Sequence, residues 1–436
     1  MNAFTRYEPI PKIERASKDE IRAFQNAELQ KLMQYLHEHS KFYREMFARE
    51  GIDYRSIRTV DDLQKLPVTT KDDLQRRNRD FQCVADREII DYVTTSGTLG
   101  DPVTFAMTDH DLERLAYNEY ISFACAHTTA DDVYQLMLTL DKRFLAGIAY
   151  YMGLRRHGAG IVRVGPGSPQ LQFDSIKRFH PTALVTVPSF LPRLIEYAEA
   201  ENIDLNKTSI KKAVCIGEPI RNTDFSLNTL GQRIKEKWDI ELYSTYASTE
   251  MGTAFTECEM GRGGHHHPEL IIVEFLDEQN NPVPAGESGE VVITTLGVEA
   301  MPLLRFKTGD ICHHYDEPCS CGRNTIRLGP VIGRRQQMIK FKGTSLYPPA
   351  FYDVLNDIEE VKNYIIELRT NKLGTDEVSV LVGSARRDEK FVKQLKDAFR
   401  VKLRVAPEIL FEDPKVIQQR LFENESRKPV IFRDLR

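Results

Sequence analysis

The sequence predicts an α/β protein with a large layered N-terminal domain, an appended β-barrel-like sheet and a small α+β C-terminal domain. Three observations predict it. Short apolar, β-branched runs alternate with helical stretches between about 89 and 240, as strands buried on both faces and covered by helices do. From about 271 the strands become more polar and are joined by turn residues. A break at 333–343, GRRQQMIKFKG, leaves about 100 residues, enough for a small domain with its own core.

The elements follow in order. The first ~75 residues read as helical, with Leu29, Leu32, Met33 and Leu36 at helical spacing and Thr69-Thr70 placed to cap a helix at Lys71-Asp72-Asp73. Strands are expected at Ile89–Val93, Gly160–Val164, Ala183–Val187 and Ala213–Ile216, then at Ile271–Leu276 and Glu290–Thr295. Asn281-Pro282 and Pro284-Ala285-Gly286 supply turns between the last two. Residues 1–332 are read as the large domain, 333–337 as a hinge and 338–436 as a small mobile domain. Within the last, a helix from Pro349, strands near 364–369 and 378–382 and a helix over Phe391–Phe399 are expected. The polar segment ENESRKPVIFRDLR reads as mobile.

Composition narrows the class. At 436 residues, two domains are the starting expectation. The formal charge of −5 offers no basic field for nucleic acid. No apolar run reaches the roughly 18–20 residues that span a bilayer, and the opening MNAFTRYEPIPKIERASKDE lacks the apolar core of a secretion signal. A cytoplasmic protein without a membrane partner is expected. Seven cysteines, an odd count, disfavour a disulfide framework.

The strongest chemical signal is Thr94-Thr95-Ser96-Gly97-Thr98-Leu99-Gly100-Asp101-Pro102 after an expected strand. Glycines interleaved with small hydroxylated residues let backbone N–H groups and hydroxyls converge on phosphate oxygens. The GxxxxGK[ST] loop is absent here, because no lysine follows. Further along come Gly217-Glu218-Pro219, Tyr246-Ala247-Ser248-Thr249-Glu250-Met251-Gly252, Arg305-Phe306-Lys307-Thr308-Gly309-Asp310, Gly333-Arg334 and Lys428.

In this order the segments resemble the adenylate-forming superfamily, and within it the phenylacetate-CoA ligase family, over essentially the whole chain. The Thr69–Leu74 phrase and the compact C-terminal domain belong to the same resemblance. It implies the adenylate-forming enzyme fold and an AMP-forming acid–thiol ligase using ATP, Mg²⁺ and coenzyme A. Thr95, Ser96, Gly97, Thr98 and Gly100 would cradle phosphate, and Gly217, Glu218 and Pro219 would meet the adenine edge. Tyr246 would lie against the adenine ring beside Ala247 and Ser248. Thr249 would donate to the α-phosphate and Glu250 would hold Mg²⁺, a hard cation suited to carboxylate and phosphate oxygens. Asp310 would accept the ribose hydroxyls, and Arg334 would contact ribose or phosphate. Lys428 would offset charge on the attacking carboxylate and the α-phosphoryl group. Phe144, Gly147, Ile148, Tyr150, Tyr151 and Phe190 would line an aryl-acid pocket. The chain departs from the pattern at Asp101, where relatives carry Lys, at Gln336-Gln337, where acidic hinge residues are usual, and at Arg427, where glycine is usual.

Cys258 and His265 form a C-x6-H element, and Cys319-Ser320-Cys321 follows some fifty residues later. Two thiolates plus a distant Cys/His pair suit a tetrahedral structural Zn²⁺, with His266 and His267 as alternative ligands and Cys312 with His313-His314 as a decoy. Two rival functions remain open on sequence: an enzyme that loads a carrier-protein thiol, and a non-catalytic nucleotide-binding relative. The resemblance is compatible with a homodimer.

Overall fold

The N-terminal segment forms α1 (Lys12–Arg15), α2 (Lys18–His39), α3 (Lys41–Arg49) and α4 (Lys71–Arg77) in the computed structural model of the chain. The structure describes residues 10–95, 102–341, 344–371, 376–422 and 429–436. Hydroxylated residues start three of these helices. Ser17 and Glu20 form a capping box ahead of α2, Ser40 caps α3, and Thr70 pairs with Asp73 ahead of α4. Each supplies an acceptor for an N–H that the first helical turn leaves unpaired. Residues 50–70, expected to be helical, hold only short 3-10 turns at Tyr54–Ser56 and Val60–Lys65.

An antiparallel hairpin pairs β1 (Asp91–Thr94) with β2 (Thr104–Met107). The first expected strand thus starts two residues late. Ile90 precedes it and is mostly exposed. After α5 (Asp109–Cys125) comes the central sheet: β3 (Val133–Leu136), β4 (Gly160–Arg163), β5 (Ala183–Thr186), β6 (Lys212–Ile216), β7 (Glu241–Ser248) and β8 (Thr253–Thr256). Helices α6 (Leu145–His157), α7 (Pro169–Phe179), α8 (Leu191–Ala200) and α9 (Thr229–Lys237) connect them. The strand order is β4-β3-β5-β6-β7-β8, parallel except for β8.

Burial explains the strand composition. Leu184, Ala213, Cys215 and Leu242 pack on one face with Leu191, Ile234 and Trp238 of the α8–α9 layer. Tyr134, Ala183, Val185 and Val214 pack on the other with Phe123, Tyr150 and Leu154 of α5 and α6. Alternate residues of one strand enter opposite cores, so a parallel strand must be apolar throughout.

A second sheet contains β9 (Gly264–His265), β10 (Ile271–Leu276), β11 (Ser288–Thr295), β12 (Phe306–Tyr315) and β13 (Arg327–Arg334), in the order β10-β11-β12-β13-β9. The chain divides into two units, Met1–Thr308 with Cys312–Pro330 and Gly309–Ile311 with Val331–Arg436, so the division passes through β12 and β13. Arg335–Gln337 form a 3-10 turn after β13.

In the second unit, β14 (Ile339–Phe341) and β15 (Thr344–Leu346) form a hairpin. A four-stranded sheet follows from β16 (Asn363–Thr370), β17 (Asp376–Gly383), β18 (Glu408–Glu412) and β19 (Phe432–Asp434), in the order β18-β17-β16-β19. Helices α10 (Pro348–Asn356), α11 (Glu389–Leu403) and α12 (Pro414–Leu421) complete the unit. Phe351 of α10 and Phe391, Leu395 and Phe399 of α11 bury against Ile366, Val380 and Val382. The expectation of a mobile tail needs correction for its last part. Phe432–Asp434 pair in parallel with Ile366–Leu368, and Ile431 and Phe432 pack on the core. A three-residue strand inside a charged segment has too few residues to show a period. Among the described residues no helix is long and apolar enough to cross a membrane.

Candidate active site

The strand order changes direction between β3 and β5, because β4 lies outside β3 while β5, β6 and β7 run the other way. In an open parallel sheet the crevice beyond the carboxyl ends at such a switch is where ligands bind. The loops leaving β3, β5, β6 and β7 carry Phe144, Phe190, Gly217-Glu218-Pro219 and Thr249-Glu250 respectively. Residues from four separate sequence segments therefore share one edge of one sheet.

The acid-side residues divide into two sets. Phe144, Ile148, Tyr151 and Phe190 are partly exposed. Gly147 sits so close to the preceding loop that a Cβ there would lie 2.1 Å from the Thr139 carbonyl oxygen. Only glycine lets α6 start against the strand end. Tyr150 instead belongs to the core, edge-on to Phe123 at 5.7 Å between ring centres. Arg163 lies over the Tyr151 ring at 5.8 Å. Beside it, a cavity of about 360 Å³ opens between Leu138–Asp141 and Arg163–Pro166.

On the nucleotide side, Gly217 takes φ +77° immediately after β6, a conformation that glycine adopts without strain. The Glu218 carboxylate accepts from the backbone N–H of Ser189 at 3.1 Å and from its hydroxyl at 3.0 Å. That pair ties the β6 loop to the β5 loop and leaves the carboxylate oriented by the residue next to Phe190. Tyr246, Ala247 and Ser248 close β7, with Tyr246 opposite Phe255 of β8. Thr249 and Glu250 are half-buried in the turn that follows. With Leu145 and Arg114 they line a narrow cavity of about 40 Å³. Two carboxylates, Asp111 and Glu250, lie at its wall. Asp111 accepts from the Thr108, Glu299 and Ala300 N–H groups, and Glu250 fits Mg²⁺, an ion that takes one or two carboxylates and completes its shell with water and substrate phosphate.

Thr95 forms the base of the phosphate-loop segment. Its backbone N–H donates to the Val103 carbonyl at 2.9 Å and its hydroxyl accepts from the Val103 N–H at 3.0 Å. Ser96, Gly97, Thr98 and Gly100, and likewise Lys428, lie outside the described residues. In the second unit Arg334 donates its Nε–H to Asp310 at 3.0 Å, and Asp310 is buried. Gly333 packs flat on Tyr347, where a Cβ would lie 2.2 Å from the ring.

The structure brings Cys258, His265, Cys319 and Cys321 together, with all four donor atoms within 4.8 Å of one another. The Cys258 and Cys319 sulfurs are 3.7 Å apart, and His265 Nε2 lies 3.4 Å from Cys258 Sγ and 3.5 Å from Cys321 Sγ. A tetrahedral Zn²⁺ with bonds of about 2.3 Å to sulfur and about 2.0–2.1 Å to nitrogen separates its ligands by roughly 3.8 and 3.5 Å. The donor set fits. His265 Nδ1 faces the Thr325 hydroxyl at 3.3 Å, which orients the ring. His266 bonds the Ile271 carbonyl and His267 faces Glu14, so these alternative ligands are engaged elsewhere.

Behind this cluster runs a buried network that sequence reasoning missed. Arg323 approaches Cys321 Sγ at 3.5 Å and donates to Glu14 at 2.9 Å, while Glu14 also pairs with His267. Burial would raise the Glu14 pKa, but the His267 and Arg323 partners hold it below its ordinary value. Asn324 adds bonds to the Glu14, Arg15 and Ala16 carbonyls. Arg114 was missed as well, and Ser189, read from sequence only as part of the pocket wall at Phe190, was not seen as a partner of Glu218. A polar stripe at 114, 118 and 122 on an otherwise buried helix was the available signal for the first.

The AMP-binding enzyme family profile matches residues 27–300. Phenylacetate-coenzyme A ligase of Thermus thermophilus is 29% identical over 380 residues, covering 85% of this chain and 84% of that protein. The Escherichia coli protein of the same name is 26% identical over 390 residues, covering 87% and 85%. In fold, a 2-hydroxyisobutyryl-CoA ligase solved in its postadenylation state with 2-HIB-AMP superposes with a TM-score of 0.85 at 23% identity, over 100% of this chain and 94% of the other. The chain belongs to the AMP-binding enzyme family and, within it, to the acid–thiol ligases of the phenylacetate-coenzyme A ligase type.

Proposed function

We propose that this enzyme joins an aryl carboxylic acid, with phenylacetate the first candidate, to coenzyme A through an acyl-adenylate. The observation that carries the reading is the convergence of the β3, β5, β6 and β7 loops on one sheet edge at the switch point. The aromatic acid is supported by Phe144 and Phe190 on the two loops that flank the switch and by Tyr151 on α6, since aryl rings favour flat apolar walls.

In the first half-reaction a carboxylate oxygen attacks the α-phosphorus of ATP and pyrophosphate leaves. The side chains position the groups and offset developing charge. Thr249 donates to the α-phosphoryl oxygen, Glu250 holds Mg²⁺, Tyr246 and Glu218 bound the adenine, and Asp310 and Arg334 meet the ribose. Bound Mg²⁺ neutralises phosphate charge. Lys428 offsets charge on the attacking carboxylate and the α-phosphoryl group. In the second half-reaction the coenzyme A thiol attacks the acyl carbonyl and AMP leaves. A thiol with a pKa near ~8.5 is partly ionised, so no strong base is required. Swinging of the small C-terminal domain, 338–436, about 333–337 separates the two steps. Cys258, His265, Cys319 and Cys321 would hold a structural Zn²⁺ away from the chemistry, and elemental analysis should then find one zinc ion per chain.

Carboxylate-dependent exchange of labelled pyrophosphate into ATP tests the reading. Phenylacetate or another aryl acid should support exchange, and dependence on alkyl acids alone would sink the aryl assignment. Lys428→Ala should lower exchange on the order of 10²–10³-fold, as loss of one preorganised donor does. It should spare thioester formation from supplied acyl-adenylate.

A further inference from the structure

Arg114 is a cation buried in the wall of the cavity that Thr249 and Glu250 share. Its hydrogen bonds run to backbone carbonyls from three distant segments. Nε–H donates to Leu296 at 2.7 Å, Nη1–H to Gly252 at 2.8 Å and Nη2–H to Leu270 at 2.6 Å, with the Thr253 hydroxyl at 3.4 Å. Asp111, one turn earlier on α5, is engaged by the N–H groups of Thr108, Glu299 and Ala300. Burial pulls the guanidinium pKa down to about 10 against the opposing pull of Asp111 and Glu269, which leaves it charged at neutral pH.

Arg114 is the first of three polar residues spaced by four along α5. The Asn118 side-chain oxygen accepts from the Ala254 N–H at 3.0 Å, and the Ser122 hydroxyl donates to the Ala254 carbonyl at 3.3 Å. Residues at this spacing lie on one face of a helix. The stripe therefore fastens 252–254 to a rigid helix at three points. Within the turn itself the bonds are longer: the N–H groups of Met251 and Gly252 reach the Ser248 hydroxyl and carbonyl at 3.3 Å each. Gly252 sits at φ +51°.

We propose that Arg114 is a positioning residue for adenylation, its guanidinium fixing the 249–252 turn so that Thr249 and Glu250 meet the phosphates. This rests on the nucleotide-site reading above. Lysine could keep the charge at 114, but its three N–H groups diverge from a single nitrogen, whereas the planar fork spreads its donors over three nitrogens and so reaches three separated carbonyls at once. Freeing the turn would displace two side chains that act only while phosphates are being transferred, and leave the later thiol attack alone.

The test compares half-reactions in Arg114→Met, Arg114→Lys and Gly252→Ala. A methyl group at Gly252 would sit 3.4 Å from Arg114 Nη1, on a backbone conformation that side chains disfavour. It disturbs the same contact from the turn side and leaves the other Arg114 partners in place, so it carries the test if Arg114→Met does not fold. Exchange of pyrophosphate into ATP should fall by about tenfold to a hundredfold, with a raised Mg²⁺ requirement, as small misplacements of reacting groups do. Thioester formation from supplied acyl-adenylate should stay within about threefold, and Arg114→Lys should recover part of the loss. An equal fall in both half-reactions, tracking melting temperature, would reduce Arg114 to a stability residue and overturn the proposal. So would unchanged exchange in Arg114→Lys and Gly252→Ala. Wild-type protein that exchanges no pyrophosphate with any acid would sink the nucleotide-site reading instead.

Discussion

Around Cys258 and His265, the Glu14, His267 and Arg323 side chains are shielded from water and bonded to one another in a chain that ends at the cysteines. Around Thr249 and Glu250 the side chains are half-buried and line an opening. Both regions lie in the first unit and both gather residues far apart in sequence. They differ in what their polar groups face. The first faces inward and satisfies its charges within the protein, so changes there fall on stability. The second lines a cavity, which on the proposed function is where substrate sits, so changes there are expected to fall on rate. Buried charge pairs are costly to break singly because the survivor is stranded.

Four substitutions probe that contrast. Glu14→Ala should have the largest effect, about 3–5 kcal/mol of stability, because it strands buried Arg323 beside His267. Denaturant melts with turnover per folded molecule would check it, and a fall in turnover at constant stability would erase the contrast. Glu250→Gln should do the reverse, lowering pyrophosphate exchange by about a hundredfold, worth ~2.7 kcal/mol, with no shift in the melt. A large shift would place Glu250 among the structural carboxylates.

Glu119 sharpens the comparison through pH. It is buried on α5, and burial pushes its pKa up to about 8. A carboxyl raised in the folded state binds more protons folded than unfolded between its ordinary pKa near 4.5 and about 8. Its contribution therefore falls as pH rises through that window. Glu119→Gln, which keeps an acceptor for the Asn118 amide, should flatten the loss of melting temperature between pH 5 and 8. An identical slope in the variant would show that Glu119 is not the titrating group. Ser189→Ala should have the smallest effect, about 1 kcal/mol, by removing one of two bonds to Glu218. It should appear as a raised KM for acid or ATP at near-constant stability, and steady-state kinetics would show it.

Local chemistry was legible where one segment decided the outcome. The apolar and β-branched runs at 183–186 and 213–216 announced strands buried on both faces, and Thr70 with Asp73 announced a helix start. The Cys/His quartet was readable despite its loose spacing because few residue types suit such a site. What stayed hidden depends on partners far away in sequence. Glu14 looks like an ordinary surface carboxylate until Arg323 and His267 arrive some 250–310 residues later. Arg114 looks like the charged flank of an amphipathic helix, and only the carbonyls at 252, 270 and 296 reveal it as interior. Ser189 carries no motif, and its importance comes entirely from the strand order that sets it beside Glu218.

The parallel pairing of Phe432–Asp434 with Ile366–Leu368 has a consequence for biosynthesis. A parallel neighbour cannot come from a tight turn, so one edge of β16 waits, uncovered, while more than sixty further residues emerge from the ribosome. Unpaired strand edges are templates for association between chains. Nascent or truncated forms that stop short of residue 432 should self-associate through that edge, and the closing strand thus doubles as protection for newly made protein.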